Sequence, residues 1–567
     1  MKKQQNYPLY DVKPVPSIRQ MLYDAEAEAG DQIAFKYKNG DETVSVTYSE
    51  FAHDVKSLGT AIAEKGIHGA HLACLSENSY DYIVAFLAAI TSDNVFVPVD
   101  KELPPKEIVY ILTNSDADYL FHSDTFTKML KENQSELPKI KSFINFDGKE
   151  GEVDGKYIDY KKLLAHGRAA FDSGSRAYLD QTYNLNTLKL LVYTSGTTGI
   201  AKGVMLSDHN LSSMVHHGLR VSTVFDTGLS VLPYNHTYEA VAGILVGIHK
   251  HVTICINDKI RNIAKNLNEF KPAYIYIVPA IAEAFYKKIW NSAKESGQDA
   301  MLRRMMKFSN GLRKIGIDLR RTIFKKLINQ FGGNLIKIVC GGAPIRPEIG
   351  EFFDAIGINL INGYGITECS PLVAANRDYF NNFHTCGTVL PCLEIRIDDP
   401  DEDGNGEICV KGDTVMLGYY KNEEETRKAI VDGWFHTGDY GRMNEDEQLM
   451  ITGRKKNMII LSNGKNVYPE EIENYIMNIP YVQEVVVYSK KDAMGSEVAL
   501  IAETYLNEEK LAEMNITEPV EQLKNDVTEV CKPLPFYKQV AKVIIRREPF
   551  EKIATQKINR KSISGDE

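Results

Sequence analysis

The sequence predicts an α/β protein with a large N-terminal domain of two stacked sheet-and-helix subdomains and a small α+β C-terminal domain. Strand-like and helix-like segments alternate between residues 70 and 121, and such alternation favours a parallel sheet covered by helices. A second series of apolar, strand-like runs lies between residues 227 and 340. Glycine, lysine and asparagine then cluster at 446–464, where the composition changes.

Short apolar runs bounded by polar residues assign the elements of the two N-terminal subdomains. In the first subdomain, we expect strands at 70–75, 94–99 and 118–121, and helices at 80–91 and 106–113. In the second, we expect strands at 227–231, 251–256, 274–278 and 335–340, with helices between them.

The C-terminal domain is predicted to contain a helix that starts at Pro469. Proline suits the first turn of a helix, and the acids at 470, 471 and 473 place negative charge near the positive end of the helix dipole. Strands at 482–488 and 499–505 and a polar helix at 519–531 follow. This mixed set is typical of a separate α+β domain.

Composition and charge narrow the class of protein. The chain has 567 residues, 43% of them hydrophobic, and a net charge of −10, so large cores are available and a broad nucleic-acid surface is disfavoured. The eight cysteines include no C-x-x-C pair, which fits a reducing cytoplasm. There is no apolar signal region and no run of 18 apolar residues, so we expect a cytoplasmic protein that is not integral to a membrane.

Residues 193–204, which read Y-T-S-G-T-T-G-I-A-K-G-V, are the most informative segment. An apolar strand at 187–193 leads into it. Glycines let backbone N–H groups turn toward an anion, and hydroxyls and a lysine add donors. The spacing is not that of the P-loop, which requires Gly-Lys-[Ser/Thr]. The residues expected to hold phosphate are Thr194, Ser195, Gly196, Thr197, Thr198, Gly199 and Lys202.

Two further glycine-containing motifs predict a purine-nucleotide site. Residues 340–344 read C-G-G-A-P and can lay flat backbone against a flat ligand. Residues 362–368 read N-G-Y-G-I-T-E. In this motif Tyr364 can stack on a purine, and Asn362 can hydrogen-bond its exocyclic amine. Glu368 supplies the carboxylate oxygen that Mg²⁺ prefers.

The remaining motifs lie toward the C-terminus. Asp439, at the end of W-F-H-T-G-D, can accept hydrogen bonds from both ribose hydroxyls; G-R-K-K follows at 453–456, and Lys557 lies within T-Q-K-I-N-R. Taken singly, Glu368 also fits a surface charge, Asp439 a helix cap and Lys557 a solvated lysine. Their order along one chain makes the set specific.

In this order, the motifs resemble those of the adenylate-forming superfamily, which includes acyl-CoA synthetases, peptide-synthetase adenylation domains and beetle luciferases. The resemblance extends from about residue 15 to about residue 563. Residues 232–239, L-P-Y-N-H-T-Y-E, and the helical insertion before Gly341 are similar to segments of long-chain fatty acyl-CoA synthetases. One departure is Gln556, which replaces the glycine of the family's usual T-G-K-I.

The resemblance implies activation of a carboxylic acid in two half-reactions that use ATP, Mg²⁺ and coenzyme A. The carboxylate attacks the α-phosphate of ATP, giving acyl-adenylate and pyrophosphate, and a thiol then displaces AMP. It assigns catalytic roles to Lys557, Thr194, Lys202, Glu368 and His236, with Mg²⁺ on Glu368 and Thr194. The binding residues that it implies are Ser195, Gly196, Thr197, Thr198, Gly199, Gly341, Gly342, Ala343, Pro344, Asn362, Gly363, Tyr364, Gly365, Thr367, Asp439, Arg454 and Gly464.

The resemblance also implies a division into an N-terminal adenylation domain at 1–455 and a mobile C-terminal domain at 456–567, with the hinge at Lys456. Rotation would remove Lys557 and bring in the loop at 462–465, where Gly464 would line the channel for the pantetheine arm. His236 would border the carboxylate end of the acyl pocket; the alternative is a packed histidine without a chemical role.

A basic, amphipathic segment at 294–326 stands apart from these motifs. It carries ten basic residues, and Met301, Met305, Phe308, Leu312, Ile315 and Leu319 recur at helical spacing. Two interpretations are open. The favoured one is a pair of core-packed helices with a charged solvent face, and the other is peripheral contact with an anionic membrane surface.

Three functions are open at this level. The first is a long-chain fatty acid–CoA ligase, and the second is an enzyme that passes the acyl group to a separate acyl carrier protein. The third is a nucleotide- or acyl-binding regulator without catalysis, which intact Glu368, Asp439, Arg454 and Lys557 disfavour. A fatty acid is the expected substrate, no nucleic-acid partner is expected, and a homodimer is an open alternative to a monomer.

Overall fold

The computed structural model describes residues 6–148, 152–153, 155–194, 201–461, 465–491, 497–552, 558, 560 and 563. Contacts divide the chain into two compact units: Met1–Glu394 with Val410–Phe435, and Ile395–Cys409 with His436–Glu567. Seven predicted site residues lie outside the described residues: Ser195, Gly196, Thr197, Thr198, Gly199, Gly464 and Lys557.

Helices and strands alternate through both units, which confirms the predicted α/β class. The α-helices are α1 (Ile18–Ala29), α2 (Tyr48–Glu64), α3 (Tyr80–Ile90), α4 (Pro105–Asn114), α5 (Thr127–Glu132), α6 (Tyr160–Asp172), α7 (Asp208–Val221), α8 (Val246–His249), α9 (Ile263–Phe270), α10 (Pro279–Glu295), α11 (Asp299–Lys314), α12 (Arg320–Ile323), α13 (Lys325–Asn329), α14 (Pro347–Ile356), α15 (Glu423–Ala429), α16 (Pro469–Ile476), α17 (Glu508–Glu513) and α18 (Pro519–Cys531).

The strands follow the same chain order. They are β1 (Ile33–Asn39), β2 (Glu42–Thr47), β3 (His71–Leu75), β4 (Val95–Pro98), β5 (Tyr119–His122), β6 (Ser142–Asn145), β7 (Tyr157–Asp159), β8 (Leu188–Thr194), β9 (Lys202–Ser207), β10 (Thr227–Ser230), β11 (Thr253–Ile256), β12 (Tyr274–Ile277), β13 (Lys337–Cys340), β14 (Asn359–Gly365), β15 (Leu372–Ala375), β16 (Gly387–Val389), β17 (Leu393–Asp398), β18 (Gly406–Gly412), β19 (Gly418–Tyr419), β20 (Ile430–Val431), β21 (Trp434–Met443), β22 (Gln448–Arg454), β23 (Ile459–Ile460), β24 (Asn466–Val467), β25 (Val482–Lys491), β26 (Glu497–Leu506) and β27 (Lys542–Arg546).

The first sheet of the first unit has eight strands in the order β19-β9-β8-β4-β3-β5-β6-β7. The pairs from β4–β8 to β6–β7 are parallel, whereas β9 is antiparallel to both β8 and β19. The predicted strands of this subdomain are confirmed as β3, β4 and β5, and the predicted helices as α3 and α4. Its core is aliphatic and includes the fully buried Val97, Leu120 and Leu191.

The second sheet of the first unit runs β16-β15-β14-β13-β12-β10-β11-β1-β2. All four strands predicted for this subdomain are present, as β10, β11, β12 and β13, and they pair in parallel. β14 also lies parallel to β13, with Cys340 opposite Asn362. Because carboxyl ends of parallel strands meet at one edge, this register brings the two glycine-containing motifs together.

A π-helix at Tyr238–Leu245 replaces the ordinary helix expected after β10. This form is rare and occurs mostly as single turns, frequently at functional sites. Most residues of the π-helix are buried, including Glu239 with its carboxyl group. The π-helix begins two residues after His236, and its first two residues, Tyr238 and Glu239, end the segment at 232–239 that resembles long-chain fatty acyl-CoA synthetases.

The second unit contains the antiparallel pair β21–β22 and a 3-stranded sheet in the order β25-β26-β27. α16 and α18 supply Ile472 and Leu523 to the core of this sheet, where Val487 is also fully buried. The predicted helices at 469 and 519–531 and the predicted strands are therefore confirmed. The two units are defined by contacts within one structure, which do not report motion. The hinge at Lys456 therefore stays a prediction.

The basic segment differs from the favoured prediction. Gly297 and Gly316 separate its helical pieces, while Gly311 lies inside α11. Leu302 is buried, but Met301, Phe308, Ile315 and Leu319 are exposed, so four of the six residues of the predicted core stripe face solvent. Within the described ranges, no helix is long and apolar enough to cross a membrane.

Candidate active site

A β-hairpin presents the two described ends of the predicted phosphate loop. β8 and β9 pair antiparallel along their length, and Thr194 is the cross-strand partner of Lys202. The prediction of a strand leading into the loop is thus confirmed. Because the hairpin holds its two ends side by side, the Thr194 hydroxyl and the Lys202 ammonium flank the loop at 195–200 from opposite strands.

Tyr419 links the loop lysine to the carboxylate predicted to bind Mg²⁺. Its hydroxyl donates to Glu368 Oε1 at 3.0 Å, and Lys202 Nζ lies 5.2 Å from the centre of its ring. Lys202 also forms an ion pair with Glu425, whose pKa is lowered chiefly by that hydrogen bond. Lys202 and Glu425 are 223 positions apart. Sequence reasoning missed Tyr419 and Glu425 because only the packing of β19 against β9 brings them here.

The glycines of the second and third motifs are required by close packing. A Cβ on Gly341 would lie 3.2 Å from the Tyr238 ring, and Gly342 has a φ of +86°. Cβ atoms on Gly363 and Gly365 would lie 3.0 and 2.5 Å from the carbonyl oxygens of Ala374 and Pro371. Bare backbone can therefore line this edge of the sheet, where Ala343 and Pro344 are exposed.

Asn362 is held by its protein neighbours. Its Nδ2 donates to the carbonyl oxygen of Thr385 at 2.7 Å, and its Oδ1 accepts from Asn376 Nδ2 at 2.6 Å. An amide oxygen has two acceptor positions, and the described residues fill one of those of Asn362, so the other can accept from a purine amine. Tyr364 and Thr367, two and five residues further on, are half-buried.

His236 lies at the start of the π-helical segment. Its side chain keeps solvent access, yet desolvation by the surrounding protein lowers the pKa of the imidazole, with Asp100 acting in the opposite direction. The backbone carbonyl of His236 accepts hydrogen bonds from the N–H groups of Glu239 and Ala240 at 3.1 and 3.0 Å. The backbone of His236 is thus anchored, and its imidazole can face a ligand.

In the second unit, Asp439 and Arg454 meet across β21 and β22. They are register partners, with Arg454 Nε 2.7 Å from Asp439 Oδ1. The Asp439 side chain is 4% exposed and that of Arg454 is 42% exposed, so the pair presents one buried carboxylate and one accessible guanidinium. The Asp439 N–H donates to Thr437 Oγ1 at 3.0 Å. This arrangement brings together the two residues expected to hold ribose.

Glu407 braces the turn that carries Asp439, and sequence reasoning missed it. Its Oε1 accepts from the Gly438 N–H at 3.2 Å, and its Oε2 lies 2.6 Å from Lys455 Nζ and 3.3 Å from His436 Nδ1. Burial raises the pKa of Glu407, but hydrogen bonds from Lys455 and His436 outweigh it and leave the pKa below its usual value. The sequence feature that could have identified Glu407 is an acidic residue within the largely buried strand β18.

Comparison with known proteins decides the family. A model of AMP-binding enzymes matches residues 22–420, and a model of the AMP-binding enzyme C-terminal domain matches residues 456–565. The chain belongs to the AMP-binding enzyme family. Its motifs therefore occur in the context that the adenylate-forming resemblance predicted.

The alignments with curated relatives cover most of the length of this AMP-binding enzyme. A long-chain-fatty-acid–CoA ligase of Mycobacterium bovis is 27% identical over 514 residues, which are 86% of this chain and 83% of that protein. Long-chain-fatty-acid–CoA ligase 6 of Rattus norvegicus is 30% identical over 77% of this chain and 67% of that protein.

Solved structures share the fold of this AMP-binding enzyme. An anthranilate CoA ligase in complex with anthranoyl-AMP matches with a TM-score of 0.74 at 18% identity, over 98% of this chain and 96% of that one. The o-succinylbenzoate CoA synthetase of Bacillus subtilis matches with a TM-score of 0.70 at 20% identity, over 98% of both chains.

Proposed function

We propose that this AMP-binding enzyme is a long-chain fatty acid–CoA ligase. It activates a fatty acid with Mg²⁺-ATP to acyl-AMP and pyrophosphate, and then transfers the acyl group to coenzyme A with release of AMP. The observation that carries the proposal is the match of both family models in order along a chain whose curated relatives are long-chain-fatty-acid–CoA ligases.

The first half-reaction requires concentrated positive charge, because an anionic carboxylate attacks an anionic phosphate. Lys202 and Thr194, at the two ends of the hairpin loop, act on the β- and γ-phosphates with the loop between them. Glu368 and Thr194 supply the hard oxygen ligands that suit the Mg²⁺ of Mg²⁺-ATP. Lys557 reaches the carboxylate and the α-phosphate and stabilises the charge that develops between them.

The nucleoside is held by the remaining motifs. Tyr364 stacks on adenine beside the bare backbone at 341–344, and the free acceptor position of Asn362 Oδ1 takes the adenine amine. Asp439 accepts hydrogen bonds from the ribose hydroxyls, and Arg454 holds that carboxylate in position through its Nε contact. The glycines at 341, 363 and 365 support this role because protein packing excludes side chains there, which leaves bare backbone beside the nucleoside.

His236 and the π-helix form the carboxylate end of the acyl pocket. An imidazole with a lowered pKa is neutral near pH 7, so it donates a hydrogen bond to the substrate carboxylate without adding charge. In the second half-reaction, the C-terminal domain rotates about Lys456. The loop that contains Gly464 then lines the pantetheine channel, and the thiol of coenzyme A attacks the acyl carbonyl while AMP leaves.

The test of this proposal is pyrophosphate release with Mg²⁺-ATP across carboxylic acids from acetate to oleate, with and without coenzyme A. We expect turnover with long-chain acids and formation of acyl-CoA only when coenzyme A is present. Adenylation without transfer to coenzyme A would assign the thiol to a carrier protein instead. Tight nucleotide binding without pyrophosphate release from any acid would contradict the enzyme and favour a regulator.

The setting of the enzyme is part of the same proposal. The enzyme works in the cytoplasm, where the eight free cysteines stay reduced, and collects its acid by peripheral contact with the inner membrane surface.

Association as a homodimer is proposed from the family resemblance alone. Light scattering of the purified chain at micromolar concentration distinguishes a dimer from a monomer.

A further inference from the structure

The segment at 294–326 exposes an apolar face that a globular core would normally bury. Met301, Phe308 and Ile315 are 51%, 62% and 71% exposed. Their spacing of seven residues is almost two helical turns, so they form one line along α11 and its C-terminal cap. A second face, about 100° around the helix, packs inward through Leu302 and Ser309. α11 is therefore apolar on two faces, and only one of them has a partner in the described chain.

Basic side chains run beside the exposed line. Arg304, Lys307 and Lys314 are exposed on α11, and Lys325 and Lys326 are exposed on α13. Arg304, Lys307 and Lys314 form no ion pair with any residue that the structure describes. Almost four turns of helix thus present an apolar line beside a row of cationic groups to solvent, which is the pattern of helices that lie in a membrane interface.

Other basic residues of the segment have structural roles. Arg313 and Arg320 pair with Asp354 at 2.6 and 2.9 Å. Arg321 donates to the carbonyl oxygens of Leu335 and Gly357 at 2.8 and 3.2 Å. Arg303 stacks on the Trp290 ring, 4.4 Å from its centre. These four residues hold the segment to the first unit, so the unpaired residues alone can serve an external partner.

We propose that the face formed by Met301, Arg304, Lys307, Phe308, Lys314 and Ile315 docks on an anionic lipid surface. Charge complementarity selects this occupant. The whole chain has a net charge of −10, so an anionic surface repels most of the molecule and attracts this face. A second copy of the chain is disfavoured, since a two-fold contact would set the same cationic face against itself.

The docking face rests on the peripheral membrane contact in the proposed function and gives its location, but vesicle flotation requires no ligase activity, so the two proposals can fail separately. The test is flotation of the full chain with vesicles of phosphatidylcholine alone, or of phosphatidylcholine with about 30% phosphatidylglycerol, at low and high salt. We expect binding to the anionic vesicles, little binding to the neutral ones, and release as salt rises, because the contact combines apolar insertion with screened attraction.

Two sets of variants locate the contact. Replacing the charges with R304Q, K307Q and K314Q together should weaken binding to anionic vesicles on the order of 100-fold, and replacing the apolar pair with F308S and I315S should weaken it roughly tenfold or more. The matched controls are K106Q, K128Q and K259Q together, which remove three exposed lysines elsewhere, and F536S, which removes a phenylalanine that is 93% exposed.

Equal binding of the wild-type chain to neutral and anionic vesicles would overturn the inference, as would no binding to either. It would also fail if the control variants lost as much binding as the variants of the α11 face. A change of oligomeric mass in those variants, with vesicle binding unchanged, would assign the face to a second copy. Thermal unfolding at the wild-type temperature checks that each variant is folded, since none of the substituted side chains is buried.

Discussion

Glu239 is a buried carboxyl group that is only partly hydrogen-bonded. It lies fully buried in the π-helix; its Oε1 accepts from Ser230 Oγ at 2.5 Å, and its Oε2 has no hydrogen-bond partner among the described atoms. Burial raises its pKa to about 8. The group is therefore protonated at neutral pH and can remain in a buried, largely apolar segment without the cost of a buried charge.

Glu239→Gln should change how stability depends on pH. Between pH 4.5 and about 8, the native state binds the Glu239 proton and the unfolded state has released it, so stability falls as pH rises through this window. The loss is on the order of 4 kcal/mol at pH 8. The glutamine variant should therefore gain melting temperature relative to wild type from pH 5 to pH 8.

Thermal unfolding at pH 5, 6, 7 and 8 measures this difference. Glu509→Gln is the matched control, because Glu509 is exposed. Parallel curves for the Glu239→Gln variant and wild type would show that Glu239 is ionised in the native state.

Glu407 differs from Glu239 because hydrogen bonds from Lys455 and His436 lower the pKa of its carboxyl group. Its substitution should weaken nucleotide binding. Glu407→Gln keeps the shape but removes the negative charge that faces Lys455 and His436. A hydrogen bond to a charged group contributes about 1.5–3 kcal/mol, so we expect roughly a tenfold rise in KM for ATP as the Gly438 turn relaxes, with kcat little changed.

Steady-state kinetics of pyrophosphate release with varied ATP check this expectation. Glu402→Gln is the control, because the Glu402 side chain is 86% exposed in its ion pair with Lys465 and such pairs contribute little. Equal KM values for wild type and Glu407→Gln would remove Glu407 from the positioning of Asp439.

At the scale of elements, local sequence sets most helix and strand positions, whereas packing decides which face of each element is buried. α11 is an example, since its apolar line at 301, 308 and 315 is exposed although apolar residues all along α3 are buried. β13 and β14 are another, because their parallel register brings the glycine motifs at 340–344 and 362–368 to one edge. Helix breaks follow backbone conformation rather than residue type alone.

Two glycines near α11 test that last point. Gly311 lies inside the helix, and a Cβ added there would meet no atom within 4 Å, whereas Gly297 has a φ of +65° between α10 and α11. Gly311→Ala should stabilise the chain by about 0.5–1 kcal/mol, because alanine loses less backbone entropy in a helix. Gly297→Ala should destabilise it by about 1 kcal/mol, because its left-handed conformation disfavours a side chain.

Chemical denaturation of both variants and wild type supplies the comparison. A loss of stability in Gly311→Ala would mean that the helix bends or ends at Gly311 in solution.

At the scale of the whole molecule, the proposed reaction divides its chemistry between two parts of one chain. The hairpin loop, Glu368 and the glycine motifs belong to the first unit, while Asp439, Arg454 and Lys557 belong to the second. The proposed rotation about Lys456 moves Lys557 and the loop at 462–465, whereas Asp439 and Arg454 precede the hinge, so the two half-reactions would use different residues. A substitution after the hinge can therefore separate the two steps.

Lys557→Ala should abolish only the first step. Positive charge from Lys557 is required while the carboxylate attacks the α-phosphate, so acyl-AMP formation should fall by about 10²–10³-fold. Thioester formation from supplied acyl-AMP should stay within a few-fold of wild type, because the proposed rotation about Lys456 removes this lysine from the site before that step. Lys542→Ala, which removes an exposed lysine of the same unit, is the control.

Separate assays of pyrophosphate exchange and of acyl-CoA formation from synthetic acyl-AMP distinguish the steps. Equal losses in both assays would contradict the division of labour and the rotation about Lys456.

The sequence by itself determined the fold class, nearly every predicted strand and helix, and the family, because these depend on local periodicity and on motifs contiguous in the chain. Only the tertiary structure decided that Tyr419 bridges Lys202 and Glu368, that Glu407 supports the Asp439 turn, and that the line through Phe308 faces solvent. Each of these depends on which distant segment packs opposite, and no local pattern encodes that choice. The π-helix belongs with them, since the burial of Glu239 against Ser230 on β10 is a tertiary contact.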